Sequence, residues 1–225
     1  IDPFNGRRDL ESRILRVVDR QTFADDSLRV LRALQFAARF TLEVEPETKR
    51  ICASIALDDL PAERIWGEFE KLLLIAERPS IGFALARELG VIHQLLPDLE
   101  PLYTCDQDPE WHPEGTVWTH TLMVVDKARA MNSDLDRPRL LTVMLGAVCH
   151  DFGKPATTRV EDGQVTSRGH ESEGTGPTKD FLERLTNQQD VIDDVVAPRF
   201  VEHEPFPGIE PTRDGVRQMF ELMRT

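Results

Sequence analysis

The chain has 225 residues, 40% of them hydrophobic, and a formal net charge of −13 at pH 7. It can bury the core of one large or two small domains, and no apolar run approaches the roughly 20 residues that a membrane span requires. The acid excess excludes indiscriminate nucleic-acid binding, which depends on neutralising phosphates. That excess is carried mainly by the later part of the chain, and every basic residue before residue 40 is an arginine. A local arginine face therefore survives the objection. Cys52, Cys105 and Cys149 are few, odd in number and widely spaced, which predicts reduced thiols in a cytoplasmic setting and no disulfide framework. The sequence opens on Ile1 in "IDPFNG" without a signal peptide, so further sequence is expected upstream.

Taken in chain order, "RILRVVD" (13–19) is β-branched and reads as a strand. "DDSLRVLRALQFAARF" (25–40) reads as a helix with Asp25 as its N-cap. At about 100° per residue Leu31, Leu34 and Ala38 share one side, and Arg29, Arg32 and Arg39 share the other. "EPETKRICASIA" and "PAERIWGEFEKLLLIA" read as two further helices, the second opened by Pro61. "SIGFALARELGVIHQLLPDLEPL" is a helix broken at Gly90 and closed by Pro97 and Pro101, with His93 packed among Val91, Ile92 and Leu95. "TCDQDPEWHPEG" (104–115) combines turn formers with acids and reads as the internal boundary. Beyond it, "TVWTHTLMVVDKARAM" and "RPRLLTVMLGAVCHDFG" are long apolar helices. The polar stretch "KPATTRVEDGQVTSRGH" then leads to helices in "GPTKDFLERL", "QDVIDDVVAPRFVEH" and "TRDGVRQMFELMRT". The pattern predicts an all-α fold.

The chemistry lies in the second part. His120 sits mid-helix with Val117 and Val124 on its own face, and a histidine on an apolar face needs a partner for each ring nitrogen, or a metal. His150 and Asp151 are adjacent, so on a regular helix they would diverge. They can share an ion only where the helix ends, which Gly153-Lys154-Pro155 is expected to enforce. His170 follows in a Gly-flanked loop and His203 closes a helix. Imidazole nitrogen with carboxylate oxygen suits Mn, Ni, Fe or Zn, which would polarise a phosphate and acidify a bound water. Lys154 is a candidate point charge for a substrate phosphate. The Cys149 thiol beside His150 reads as a small core residue, and Asp193-Asp194 as solvated helix charge.

"TVWTHTLMVVDKA", "LGAVCHDFGKP" and "RGHESEGTGPTKDFLERL" resemble the HD domain of bacterial tRNA nucleotidyltransferases, the CCA-adding enzymes, whose close relatives are poly(A) polymerases. The resemblance implies a metal-dependent phosphohydrolase site with His120, His150 and Asp151 as ligands. It makes His170 a ligand or phosphate contact, and His203 a ligand of a second metal. The family's distal aspartate falls beyond Thr225. "IDPFNGRRDLESRILRVV" resembles the end of the family's catalytic head, and "FADDSLRVLRALQFAARF" its neck-opening segment. There an acidic pair and an arginine select the incoming nucleotide, which carries over to Asp25, Asp26 and Arg29, although Asp25 stands where the family has Glu. Arg32 and Arg39 extend the same face toward nucleotide or phosphate. "AERIWGEFEKLL" resembles the next neck helix, with Arg64 and Glu68 one turn apart.

The implied organisation is the end of a nucleotidyltransferase head over 1–22, a small β remnant. A helical neck follows over 23–104, and an HD domain over 105–225. The implied parent adds or repairs the 3′ CCA end of tRNA from CTP and ATP. Its Mg²⁺ would lie in a head whose Gly-Ser motif and paired aspartates are expected upstream of Ile1. The alternative is a stand-alone metal-dependent phosphohydrolase acting on nucleotide or RNA-end phosphates. Without the resemblance, Asp26 and Arg29 read as an ion pair at a helix start.

Overall fold

The computed structural model describes residues 2–196. His203 and the helix expected over 212–225 lie outside the described residues. The fold is helical, with two small two-stranded sheets among the described residues. The described residues fall into two compact units, divided between Pro97 and Asp98.

In the first unit a short helix, α1 (Gly6–Glu11), leads to β1 (Ile14–Leu15), far shorter than the strand expected over 13–19. A 3-10 turn (Phe23–Asp25) precedes α2 (Leu28–Phe40). The helix therefore starts two residues later than Asp25 would set it. Ser27 occupies the N-cap position, and its hydroxyl donates to Asp59 Oδ1 at 2.6 Å instead of capping. After α2, β2 (Glu43–Val44) pairs in parallel with β1. α3 (Pro46–Ala53) is capped by Glu45, whose carboxylate accepts from Thr48 N at 2.8 Å. The Thr48 hydroxyl in turn accepts from Val17 N at 3.0 Å, tying the chain after β1 to this helix start.

α2 is the hub of the unit because its apolar residues recur at helical spacing. Val30, Leu31, Ala33, Leu34, Ala37 and Ala38 are buried, and the helix packs against both α4 (Ala62–Ile75) and α5 (Pro79–Glu88). Between those two, Phe69 meets Phe83 edge-on at 5.8 Å. Gly90, at φ 73°, takes the left-handed conformation that ends α5 and starts α6 (Val91–Leu95). Arg32 and Arg39 remain exposed, their guanidinium groups lying over Phe36 and Phe40 of the same helix at 5.6 and 4.9 Å.

The second unit begins in a 3-10 segment (Pro97–Tyr103) and is built on α7 (Val117–Met131) packed along α8 (Arg137–Cys149). α8 is buried almost all round, from Leu140 to Cys149, so its C-terminal end points into protein. α9 (Lys154–Thr157) is a single turn. The polar stretch after it, to which the sequence assigns no element, forms a hairpin of β3 (Arg159–Glu161) and β4 (Gln164–Thr166). Asp162 and Gly163 both take positive φ in its two-residue turn, the chemistry that Asp-Gly favours. α10 (His170–Leu185) starts well before the expected Gly176, and α11 (Gln189–Val196) packs against α8 and α10.

Phe181 is fully buried and meets Phe152 edge-on at 5.3 Å, anchoring α10 beneath the turn after α8. Phe181→Ala is expected to destabilise the second unit by about 3–5 kcal/mol. Val160→Ala, at a side chain 73% exposed on the hairpin, should change stability by no more than about 0.5 kcal/mol. Urea unfolding of the two variants beside the parent measures both.

Candidate metal centre

Three helix ends meet at one point of the second unit. His120 lies in the first turn of α7, where Thr116 caps the helix by accepting from Thr119 N. His150 is the residue just after α8, and His170 is the first residue of α10. α8 thus stops at Cys149, a turn earlier than Gly153-Lys154-Pro155 would stop it. That earlier ending releases the carboxylate of Asp151 from helical direction. Gly153 has a different task. A Cβ on it would sit 1.9 Å from the carbonyl oxygen of His170 and 2.6 Å from Gly174 N, so only glycine lets the start of α9 lie against the start of α10.

Asp151 is the centre of the cluster and its side chain is inaccessible. His150 Nε2 lies 3.2 Å and His120 Nε2 4.0 Å from its Oδ2, while His170 Nε2 lies 3.5 Å from its Oδ1. Each of these rings is anchored through its other nitrogen. His150 Nδ1 donates to the Ala147 carbonyl at 3.0 Å, satisfying one of the carbonyls that a helix C-terminus leaves open. His170 Nδ1 donates to the Ser167 carbonyl at 2.7 Å, and His120 Nδ1 to Glu114 Oε1 at 2.7 Å. Carbonyl and carboxylate oxygens only accept, so Nδ1 carries the proton, and a neutral ring then presents the Nε2 lone pair. His120 and His150 consequently direct lone pairs at the oxygens of Asp151.

Among the described residues, neither carboxylate oxygen of Asp151 nor His150 Nε2 finds a hydrogen-bond partner. Lys154 Nζ supplies one positive charge 2.8 Å from Oδ2 and donates to Gln107 Oε1 at 2.7 Å. Lys154 is buried, so its ammonium faces Asp151 and Gln107 and not an incoming phosphate. The remaining facing acceptors call for a cation. Nε2 of His120, Nε2 of His150 and a carboxylate oxygen of Asp151 make a donor set compact enough for one ion, and its chemistry fits a borderline divalent metal. His170 stands against the other carboxylate oxygen, outside that triangle.

Burial opposes charge on Asp151, but positive charge on His150, when that ring takes up a second proton, and on Lys154 outweighs it and holds the carboxyl well below its usual range. Burial lowers His120 from 6.5 to about 4, against the raising effect of Glu114. Burial likewise raises Glu114, yet its hydrogen bonds from His112 and His120 win and bring it from 4.5 to about 2. Cys149 is pushed well up by burial, as befits a core thiol.

Three residues in this neighbourhood were invisible as chemistry in the sequence: Gln107, His112 and Glu114, all from the stretch taken as a boundary. Gln107 and Glu114 reach the site as described, and His112 Nδ1 shares Glu114 Oε1 at 3.0 Å. The spacing in "WHPEGTVWTH" held the signal, a His and a Glu within eight residues before a candidate ligand. In the first unit Asp26 pairs with Arg64 of α4 at 3.0 Å, while Arg29 donates to the Thr22 carbonyl. The two are therefore not the mutual ion pair of a helix start. Hydrogen bonding from Arg64 lowers the Asp26 carboxyl. Glu68 is buried and paired with Lys71 at 2.7 Å.

Residues 41–103 match the family described as a probable RNA and SrmB-binding site of polymerase A, and residues 117–212 match the HD domain. In this succession the chain matches the neck and HD region of the CCA-adding enzyme family. It is 38% identical over 192 residues to a multifunctional CCA protein of Methylococcus capsulatus, covering 82% of this chain and 43% of that protein. A multifunctional CCA protein of Ralstonia nicotianae is 39% identical over 198 residues, covering 86% of this chain and 44% of the relative. The chain thus spans less than half the length of these CCA-family relatives. A solved CCA-adding enzyme in an apo form shares the fold at a TM-score of 0.50 and 21% identity, over 87% of this chain and 39% of that one.

Two outcomes test the geometry. Gly153→Ala should cost upwards of about 3 kcal/mol in unfolding free energy, because the clash is with backbone and cannot be relieved by a rotamer change. The pH dependence follows from His120 and Glu114, whose folded values lie below their ordinary ones. As pH falls the unfolded chain takes up these protons first, so stability present above pH 6.5 is lost through about 4 by His120, and from 4.5 toward about 2 by Glu114. In the presence of a chelator the melting temperature should fall over the first window, and His120→Gln should flatten that part of the curve.

Proposed function

We propose that this chain is the neck and HD part of a cytoplasmic enzyme that adds or repairs the 3′ CCA end of tRNA. The observation that carries it is the succession of an RNA-binding neck segment and an HD domain in one chain, matched across more than four-fifths of its length by multifunctional CCA proteins. A stand-alone hydrolase gives no reason for such a neck. The partners would be the tRNA 3′ end, CTP and ATP, with Mg²⁺ serving transfer in the parent's head.

In the neck, Asp26 and Arg29 would read the edge of the incoming nucleotide. Carboxylate accepts and guanidinium donates, a combination able to discriminate bases at about 1–3 kcal/mol per good bidentate contact. The Asp26–Arg64 pair is exposed on both sides, worth about 0–1 kcal/mol, so a nucleotide can replace it at small cost. Asp25 is exposed beside it. Arg32 and Arg39 would follow the phosphates, their rings beneath them limiting the side-chain freedom lost on binding.

The HD unit would hydrolyse phosphate esters of nucleotides or RNA ends. His120, His150 and Asp151 would hold Mn, Ni, Fe or Zn, which supplies Lewis acidity toward a phosphoryl oxygen and a more acidic bound water. Lys154 and Gln107 keep Asp151 charged and fixed, and His170 stands on its other side to orient it or meet the phosphate. Catalytic roles for His203 lie outside the described residues.

In the full-length parent, Asp26→Ala or Arg29→Ala should lower CTP and ATP incorporation into tRNA lacking its terminus by about 10- to 100-fold. Each should also blunt discrimination against UTP and GTP. The His150→Ala, Asp151→Ala double variant should keep incorporation and lose metal-dependent phosphate release. Unchanged incorporation and selectivity in the neck variants would contradict the base-reading role.

A further inference from the structure

Glu114 supplies no atom to the proposed metal triangle, yet its carboxylate lies directly behind one corner. Oε1 accepts from His120 Nδ1 at 2.7 Å and from His112 Nδ1 at 3.0 Å, and the His112 and His120 rings meet edge-on at 4.9 Å. The Glu114 side chain is only 6% exposed, and its buried Oε2 has no hydrogen-bond partner among the described residues. A carboxylate is rarely held so deeply on the surface side of a helix start unless its charge is used. Here it accepts from the ring nitrogen opposite the one that faces Asp151.

We infer that Glu114 is a positioning residue that makes His120 a metal ligand. It fixes His120 as the tautomer with its proton on Nδ1, aims the Nε2 lone pair at the oxygens of Asp151, and raises the basicity of that nitrogen by placing a negative charge behind the ring. His112 shares the same oxygen and so restrains the carboxylate from the other side. The segment 105–116 is thereby part of the metal centre. Its ends are pinned for the purpose, by Val117 N donating to the Cys105 carbonyl at 2.9 Å and Gln107 Nε2 donating to the Gly115 carbonyl at 3.2 Å. Glu114, His112 and His120 also lie close enough to hold an ion themselves. An ion there would have to displace the protons that now join both rings to Oε1, leaving the Asp151 cluster the better site.

This inference rests on the metal reading of the HD unit, and the test separates the two. Zn²⁺ is titrated calorimetrically into the chain and its Glu114→Gln and Glu114→Asp variants, and the ring nitrogens of His120 are followed by ¹⁵N NMR in metal-free protein. The parent chain should bind one Zn²⁺ at the cluster and show His120 protonated on Nδ1. Glu114→Gln keeps an acceptor but loses the charge, and should weaken Zn²⁺ binding about 10- to 100-fold; its chelator-treated melting temperature falls by the stability that the charge supplied, while circular dichroism shows it folded at the titration temperature. Its His120 signal should shift toward the other tautomer, which a merely structural role would not produce, and Glu114→Asp should recover part of the affinity. Equal Zn²⁺ affinity and an unchanged tautomer in Glu114→Gln would overturn this role alone. Two ions in the parent, one lost with Glu114, would make it a ligand and overturn it likewise. No Zn²⁺ binding by the parent would overturn the metal reading and this role with it.

Discussion

Facing lone pairs at a buried carboxylate organise the second unit. Two imidazoles, each with its proton committed to an acceptor on the far side, turn their other nitrogens toward the oxygens of an aspartate that water cannot reach. Such a cluster is repulsive until positive charge enters it, and a single lysine supplies only part of that charge. Much of the local architecture is explained by this constraint. α8 must be apolar on nearly every side to carry its end into the interior, and it must stop at Cys149 so that His150 and Asp151 can turn to the same point. α10 must begin against a glycine so that His170 can close the far side.

The same constraint links packing to chemistry. The anchors of the imidazoles are backbone carbonyls at helix ends for His150 and His170, so the tautomers are set by the fold itself. For His120, mid-turn on α7, no carbonyl is available because the helix consumes its own. The anchor has to come from a side chain, and the preceding segment delivers Glu114. A chain that must bring a carboxylate back over the start of the next helix needs turn formers, and "DPEWHPEG" consists largely of them.

That is also why the sequence was legible in some places and opaque in others. The apolar spacing of Leu31, Leu34 and Ala38, and the glycine break at Gly90, fixed helices that the structure contains. The His-Asp doublet and the placement of His120 and His170 pointed to residues that the fold gathers around Asp151. The stretch around Glu114 looked like a boundary because turn composition reports local backbone geometry and is silent about what the turn packs against. The Asp162-Gly163 turn stands in the sequence too, but its flanks lack the apolar alternation that marks paired strands. Capping was misjudged at Asp25 because Ser27, two residues on, spends its hydroxyl on Asp59, a partner 32 residues away that no local pattern announces.

The most direct measurement is the anomalous difference density of a crystal soaked in Zn²⁺ and collected at the zinc absorption edge. A single peak about 2.0–2.2 Å from His120 Nε2, His150 Nε2 and an Asp151 oxygen is the expected result. A peak seated instead between His112 and Glu114, or no peak with His150 and Asp151 sharing a proton, would contradict the claim that these lone pairs are arranged for a metal ion.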